Sequence, residues 1–63
     1  MASYRIYFVD PRGRVRVGEA FVAGVEADAH ARLERAERHD EEAAELWRGG
    51  RLVRRLGRRD DVS

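Results

Sequence analysis

The sequence contains no cysteine, no lysine and no threonine, and only one proline and one tryptophan in 63 residues. Without cysteine the chain has no disulfide, no thiolate metal site and no cysteine nucleophile. Its apolar runs extend over a few residues, which is too short for a transmembrane helix or for the apolar region of a signal peptide. We therefore expect a protein of the cytoplasm.

The supply of large apolar side chains is small. The hydrophobic fraction is 43%, but nine of these residues are alanine, and charged residues make up 40% of the chain. A domain of about 60 residues buries only about 60% of the surface that its unfolded chain exposes. A chain of this size without disulfides or thiolate-bound metal often gains stability by oligomerising. The sequence therefore predicts one small domain, residues 1–63, that forms a homodimer.

All thirteen basic residues are arginine, and twelve acidic residues leave a net charge of +1. The absence of lysine has two interpretations. It reflects either the codon bias of a GC-rich genome or a need for bidentate contacts to phosphate or carboxylate, which arginine makes and lysine does not. The charge is divided unevenly, because residues 26–45 carry eight acidic side chains against three arginines. An acidic central segment thus lies between two basic ones.

The first part of the chain predicts a β-hairpin. Residues 4–9 alternate in hydrophobicity and are rich in β-branched and aromatic side chains, and the alternation resumes over residues 14–22. Between them, residues 10–13 read DPRG, with proline at the second and glycine at the fourth position of a tight turn. Gly18 and Glu19 interrupt the alternation of the second strand, which predicts a β-bulge.

Residues 26–39 predict a helix, because they lack glycine and proline and are rich in alanine, glutamate and arginine. Glu34 and Arg38 stand four residues apart in the order that favours an ion pair along a helix. An apolar stripe at helical spacing is predicted to face the sheet. This stripe consists of Ala29, Leu33 and Ala36.

Residues 40–48 have two interpretations. By propensity the helix continues to Trp47 and a single strand follows, which gives a ββαβ order. Alternatively, the two glycines at positions 49 and 50 form a two-residue turn between strands 44–48 and 51–56. We favour this hairpin because its cross-strand neighbours are compatible. These pairs are Trp47 with Leu52, Leu46 with Val53, and Glu45 with Arg54.

The predicted fold is therefore ββαββ in the α+β class, a four-stranded antiparallel sheet with one helix packed on one face. Residues 57–63 are predicted to be a frayed tail. One helix covers one face of such a sheet, yet alternation places apolar or aromatic side chains on both. Tyr4, Ile6 and Phe8 point to one face, whereas Tyr7 and Val9 point to the other. The uncovered face suits self-association or a protein partner.

Three segments of the chain resemble a group of very short bacterial proteins that are common in alphaproteobacteria. They are the opening YRIYFVD, the acidic, alanine-rich central helix and the ending AELWRGGRLVRRL; the group has a YRLYFLD-type opening and an ELWxGxRLV-type ending. The resemblance is strongest over residues 4–10 and 43–56, and residues 39–42 are longer and more acidic than is usual in the group. It implies that ELW lies in a strand followed by a glycine turn, and that the protein is bacterial and cytoplasmic. The shared motifs are structural and imply no catalytic residue.

No constellation of side chains in the sequence indicates an enzyme. His30 and His39 stand nine residues apart, on opposite sides of a straight helix, so they do not share a metal ion within one chain. The acidic residues 40–42 and Glu45 are interpreted as a solvated surface, because catalytic carboxylate pairs need a cleft. Serine occurs only at positions 3 and 63, and the glycine spacing matches no phosphate loop. We therefore expect no enzymatic activity, no metal and no cofactor.

Three functions remain. The first is a non-enzymatic protein-interaction module that forms a homodimer through the open sheet face, by burial of aromatic anchors ringed by ion pairs. Its predicted contacts are Tyr7, Trp47, Leu52 and Arg54. In this hypothesis the basic ending pairs with the acidic helix of the same or a neighbouring chain, through Arg54, Arg55, Arg58 and Arg59.

The second function is a nucleic-acid-binding accessory protein that uses arginines of the sheet and stacks bases on its aromatic side chains. Its predicted contacts are Arg14, Arg16, Arg51, Arg54 and Arg55. The isoelectric point of about 8.4 lies below the value of about 9 that strong nucleic-acid-binding domains usually exceed, which favours the first function. The third function is an inhibitor of the phage or mobile-element type that binds a larger protein.

Overall fold

A computed structural model describes residues 1–39 and 41–57 of the protein. Their elements are β1 (Ala2–Val9), β2 (Val15–Ala23), α1 (Glu26–Arg35), β3 (Ala43–Arg48) and β4 (Arg51–Leu56). The strands form one antiparallel sheet in the order β2-β1-β3-β4, and α1 packs on one of its faces. This arrangement confirms the predicted ββαββ fold. The predicted tail, apart from Gly57, lies outside the described residues.

The helix connects two strands that are parallel to each other. Both β2 and β3 are antiparallel neighbours of β1, so the chain leaves β2, crosses over β1 and enters β3 in the same direction. Such a crossover needs a long connection, which α1 supplies on one side of the sheet. No helix among the described residues is long and apolar enough to cross a membrane.

The core lies between α1 and the sheet. Its largest fully buried side chains are Ile6, Leu33 and Leu46, which come from β1, α1 and β3. Tyr4 and Phe8 flank Ile6 on the same face of β1 and are also buried. The period of two that the sequence predicted for β1 is therefore confirmed, and this face is the one that the helix covers.

The β1–β2 hairpin follows the prediction closely. The Asp10 carboxylate accepts backbone N–H bonds from Arg12 and Arg14 at 2.9 and 2.8 Å, and the bond from the Arg14 backbone lowers the Asp10 pKa. Gly13 completes the turn with a φ of 85°. The register shifts between Ile6 and Tyr7 because Gly18 is the extra residue of β2, which confirms the predicted bulge.

The helix is shorter than predicted, because it ends at Arg35 instead of residue 39. Ala36 is already extended, with φ −64° and ψ 134°, although the residues that follow are good helix formers. Arg38 therefore forms no helical pair with Glu34. It donates to the Gly57 carbonyl, while Glu34 accepts from Arg54. Tertiary contacts override propensity here.

The second hairpin confirms the preferred interpretation of residues 43–56, and the alternative of a helix reaching Trp47 is wrong. Gly49 has a φ of 60°, which suits the first central position of a two-residue hairpin turn. Trp47 lies opposite Leu52 as predicted. Beyond this pair the register shifts, so Leu46 faces Arg54 and Glu45 faces Arg55. The predicted pairs Leu46–Val53 and Glu45–Arg54 are wrong because Val53 is an extra residue in β4.

Candidate protein-interaction surface

The sheet face that α1 leaves uncovered, called the open face below, contains two rows of side chains that cross all four strands. The register places one residue of each strand in each row, in the order β2, β1, β3, β4. The first row is Ala20, Arg5, Trp47 and Leu52. The second row is Val17, Tyr7, Glu45 and Arg55.

An aromatic cluster lies at the centre of the open face. The rings of Tyr7 and Trp47 meet edge to face, with centroids 6.4 Å apart and an interplanar angle of 86°. The Trp47 indole N–H donates to Glu45 Oε1 at 2.9 Å, and Arg55 Nε lies 3.5 Å from Glu45 Oε2. These contacts within the chain thus fix the positions of the Trp47 ring and the Glu45 carboxylate.

The open face also carries most of the exposed large apolar side chains among the described residues. Three valines of β2 are more than half exposed, and Leu52 of β4 is 44% exposed. The valines are Val15, Val17 and Val22. Apolar side chains exposed together on a sheet face are typical of a surface that contacts another molecule.

The structure brings three of the four predicted interface residues together. Tyr7, Trp47 and Leu52 all lie on the open face. Arg54 does not, and this placement is a correction: it lies on the helix face, where its guanidinium is 2.9 Å from Glu34 Oε2 and 3.3 Å from His30 Nδ1. The bulge at Val53 advances β4 by one residue, so Arg55 occupies the position expected for Arg54.

Glu45 is a residue of this surface that the sequence interpretation missed. Its carboxylate was expected to be solvated, yet the side chain is only 20% exposed and contacts both Trp47 and Arg55. Its position in a strand rather than in the acidic helix is the signal that identifies it. Two residues before a tryptophan on the same strand, a side chain shares the tryptophan's face.

The five arginines predicted to contact nucleic acid do not form one patch. Arg16 and Arg54 lie on the helix face, Arg55 lies on the open face, and Arg14 follows the first turn. Four of them have a carboxylate partner: Asp10 for Arg14, Glu42 for Arg16, Glu34 for Arg54, and Glu45 for Arg55. The predicted pairing of the basic ending with the acidic helix is therefore confirmed for Arg54. Arg58 and Arg59 lie outside the described residues.

Glu42 corrects the expectation that the acidic run is solvated. Its side chain is only 8% exposed and accepts bonds from Arg16 at 2.8 and 3.2 Å and from the His39 backbone at 2.7 Å. The hydrogen bonds from Arg16 lower the pKa of Glu42 to about 2. Arg16 also lies 4.4 Å above the Phe8 ring. This ion pair ties the segment before β3 to the edge strand β2 and covers the core.

The described residues offer little that resembles a catalytic or metal centre. No group of three or more histidine, cysteine, aspartate or glutamate side chains among them is close enough to hold a metal ion. His30 contacts Glu26 and Arg54, whereas His39 lies beyond the end of the helix. Asp40 lies outside the described residues. The absence of enzymatic activity and of a cofactor stays a prediction.

Comparisons with known proteins identify no relative. No protein-family model matches the chain, and the search of curated proteins and the search of solved structures return no significant match. The resemblance to short alphaproteobacterial proteins therefore stays a prediction. A proposal about function therefore rests on the geometry of the open face.

Proposed function

We propose that the protein is a small, non-enzymatic protein-interaction module of the bacterial cytoplasm that acts as a homodimer through its open face. The observation that carries this proposal is the concentration of exposed apolar and aromatic side chains on one face of the sheet. Val15, Val17, Val22 and Leu52 are between 44% and 63% exposed and lie on the same face as the Tyr7–Trp47 pair. The proposed contact residues are Tyr7, Trp47, Leu52 and Arg55, with Arg55 in place of Arg54.

The charges of the open face favour a protein partner over a nucleic acid. Within the described part of the chain, this face carries Arg5, Arg55 and Glu45, and Arg55 is already paired with Glu45. Tight nucleic-acid binding depends on several cations that each neutralise a phosphate. One unpaired arginine among valines and aromatic rings fits an apolar protein contact better.

A second copy of the chain is the partner that this face fits best. An apolar sheet face is stable when another element buries it, and a second sheet packed face to face is one of the elements that does so. Four strands spaced ~4.8 Å apart and ~20 Å long offer about 400 Å² of plane area. Standard interfaces bury roughly 800 Å² of accessible surface per partner, so a face of this small size suits a weak dimer, and we expect a Kd in the micromolar range.

The experiment is size-exclusion chromatography with light scattering over a range of protein concentrations, in low and in high salt, with absorbance read at 260 and 280 nm. The proposal predicts a dimer mass that persists in high salt and carries no nucleic acid, because apolar association is not weakened by salt. A monomer that releases nucleic acid in high salt would contradict it and favour the nucleic-acid-binding function. A monomer free of nucleic acid would also contradict it and favour a larger protein as the partner.

A further inference from the structure

The open face contains a groove whose floor is the small side chain of Ala20. The cavity has a volume of about 570 Å³, and Arg5, Tyr7 and Val22 form its walls together with Ser3 on the same face. Ala20 is the smallest residue of the first row, and it lies on β2 at one edge of the sheet. At the other edge, on β4, the same row ends in Leu52, whose side chain is 44% exposed.

The first row, when it is followed from β2 to β4, is complementary to the same row followed from β4 to β2. The centre of the sheet lies between β1 and β3. A two-fold axis that runs parallel to the strands, above this centre and midway between two facing sheets, brings each row opposite the reversed row of a second copy. Ala20 then faces Leu52 of the partner subunit, and Arg5 faces Trp47 of the partner subunit. Such an axis keeps the strands of the two sheets aligned, which is the usual geometry of a sandwich.

The charges agree with this arrangement. Within residues 1–39 and 41–57, no carboxylate pairs with the Arg5 guanidinium, although five other arginines have one. Trp47 of the partner subunit supplies a ring for a cation–π contact. Its indole N–H is held by Glu45 at 2.9 Å, so a carboxylate stands beside the ring that the cation would contact.

We propose, resting on the homodimer proposed above, that Leu52 of the partner subunit enters the groove above Ala20 while Arg5 contacts the ring of Trp47 of the partner subunit. The two-fold axis repeats both contacts. Sheets that pack face to face lie ~10 Å apart, a gap that leucine and arginine side chains span. The groove above Ala20, called the socket below, thus receives the side chain of Leu52, called the knob, from the opposite edge of the sheet in the second copy.

A volume swap tests this contact directly. Ala20→Leu fills the socket, and Leu52→Ala removes the knob. We expect each change to raise the dimer Kd about tenfold, and the double variant to return to within about threefold of the wild-type Kd. Ala20 and Leu52 are three strand spacings apart in one chain, about 14 Å, so coupling between them has to pass through the second copy. Sedimentation equilibrium measures the Kd.

Val25→Ala is the matched control, because Val25 is 59% exposed but lies outside the sheet; its Kd should equal that of the wild type. If Ala20→Leu lowers the folded fraction by circular dichroism, Ala20→Val replaces it in the same cycle. A double variant whose loss equals the combined loss of the two single variants overturns the knob-and-socket contact but leaves the homodimer standing. A wild-type protein that is monomeric at about 100 μM, well above a micromolar Kd, overturns both.

Discussion

The two faces of the sheet carry similar side chains but differ in how far these side chains are buried and paired. On the helix face, Ile6 and Leu46 have no exposed surface, and arginines at its margin are tied to carboxylates, as Arg16 is to Glu42 and Arg54 to Glu34. On the open face, valines and Leu52 stay exposed, and Arg5 has no carboxylate within the described residues. The chain thus completes one hydrophobic layer by itself, whereas the apolar side chains of the second layer stay exposed.

We expect the largest loss of stability from a substitution in the core of the helix face. Leu46→Ala removes a fully buried side chain and should cost about 2–5 kcal/mol of unfolding free energy. This is as much as a domain of this size gains from its core, so we expect a largely unfolded protein. Leu52→Ala on the open face should change monomer stability by less than about 0.5 kcal/mol. Urea titration at a concentration below the dimer Kd measures both; equal losses would contradict the contrast between the faces.

The next largest effect concerns the close approach of Gly18 to the Phe8 ring on the helix face. A Cβ on Gly18 would overlap ring carbons of Phe8, whereas a Cβ on Gly24 would meet no atom within 4 Å. Gly18→Ala should therefore destabilise the fold by about 1–3 kcal/mol through overpacking. Gly24→Ala should be neutral or slightly stabilising. Thermal melts of the two variants compare them, and a neutral Gly18→Ala would mean that the bulge does not rest on Phe8.

A smaller effect concerns the ion pair between Arg16 and Glu42 at the margin of the helix face. Because the Glu42 pKa falls from 4.5 to about 2 on folding, the charged pair stabilises the fold above pH 4.5 and loses this contribution as the pH falls towards 2. Arg16 is 42% exposed, so solvent screening makes this contribution smaller than the lowered pKa of Glu42 alone implies.

Glu42→Gln should remove this part of the pH dependence, and Glu37→Gln, at an exposed position, should retain it. The difference in unfolding free energy between wild type and Glu42→Gln, measured from pH 6 to pH 2.5, should therefore shrink as the pH falls. A constant difference would contradict the proposed linkage.

The smallest effect lies in the segment before β3. Glu41 has a φ of 69°, a left-handed conformation that costs a non-glycine residue roughly 1–2 kcal/mol. Glu41→Gly should relieve this strain but adds entropy to the unfolded chain, so we expect a net gain of up to about 1 kcal/mol. A thermal melt measures it. A lower melting temperature would contradict this expectation, because the added entropy of the unfolded chain would then outweigh the strain that glycine relieves.

Local chemistry predicts most of this fold from the sequence. Alternation, the DPRG turn and the two central glycines identify both hairpins, and Gly18 identifies the first bulge because glycine in a strand is unusual. Val53 carries no such signal, since a valine is ordinary in a strand. One unrecognised bulge was enough to place Arg54 on the wrong face and Arg55 outside the predicted contact.

The end of α1 and the burial of Glu42 have a different origin. Residues 36–39 favour a helix by composition, yet the chain leaves the helix after Arg35, and Arg38 and Glu42 instead make long-range contacts with Gly57 and Arg16. No spacing in the sequence indicates which arginine a given glutamate meets. Composition predicts that the charges pair, and the register of the sheet decides the partners.

The single tryptophan provides the most direct test of the claim that the open face is an interface, because Trp47 lies at its centre. Acrylamide quenching of its fluorescence is measured along a dilution series whose mass is followed by light scattering, with Leu52→Ala as the weakly associating control. If the open face is the interface, the quenching constant rises on dilution in the range where the mass halves. A mass that halves while the quenching constant stays the same would place the interface elsewhere on the molecule.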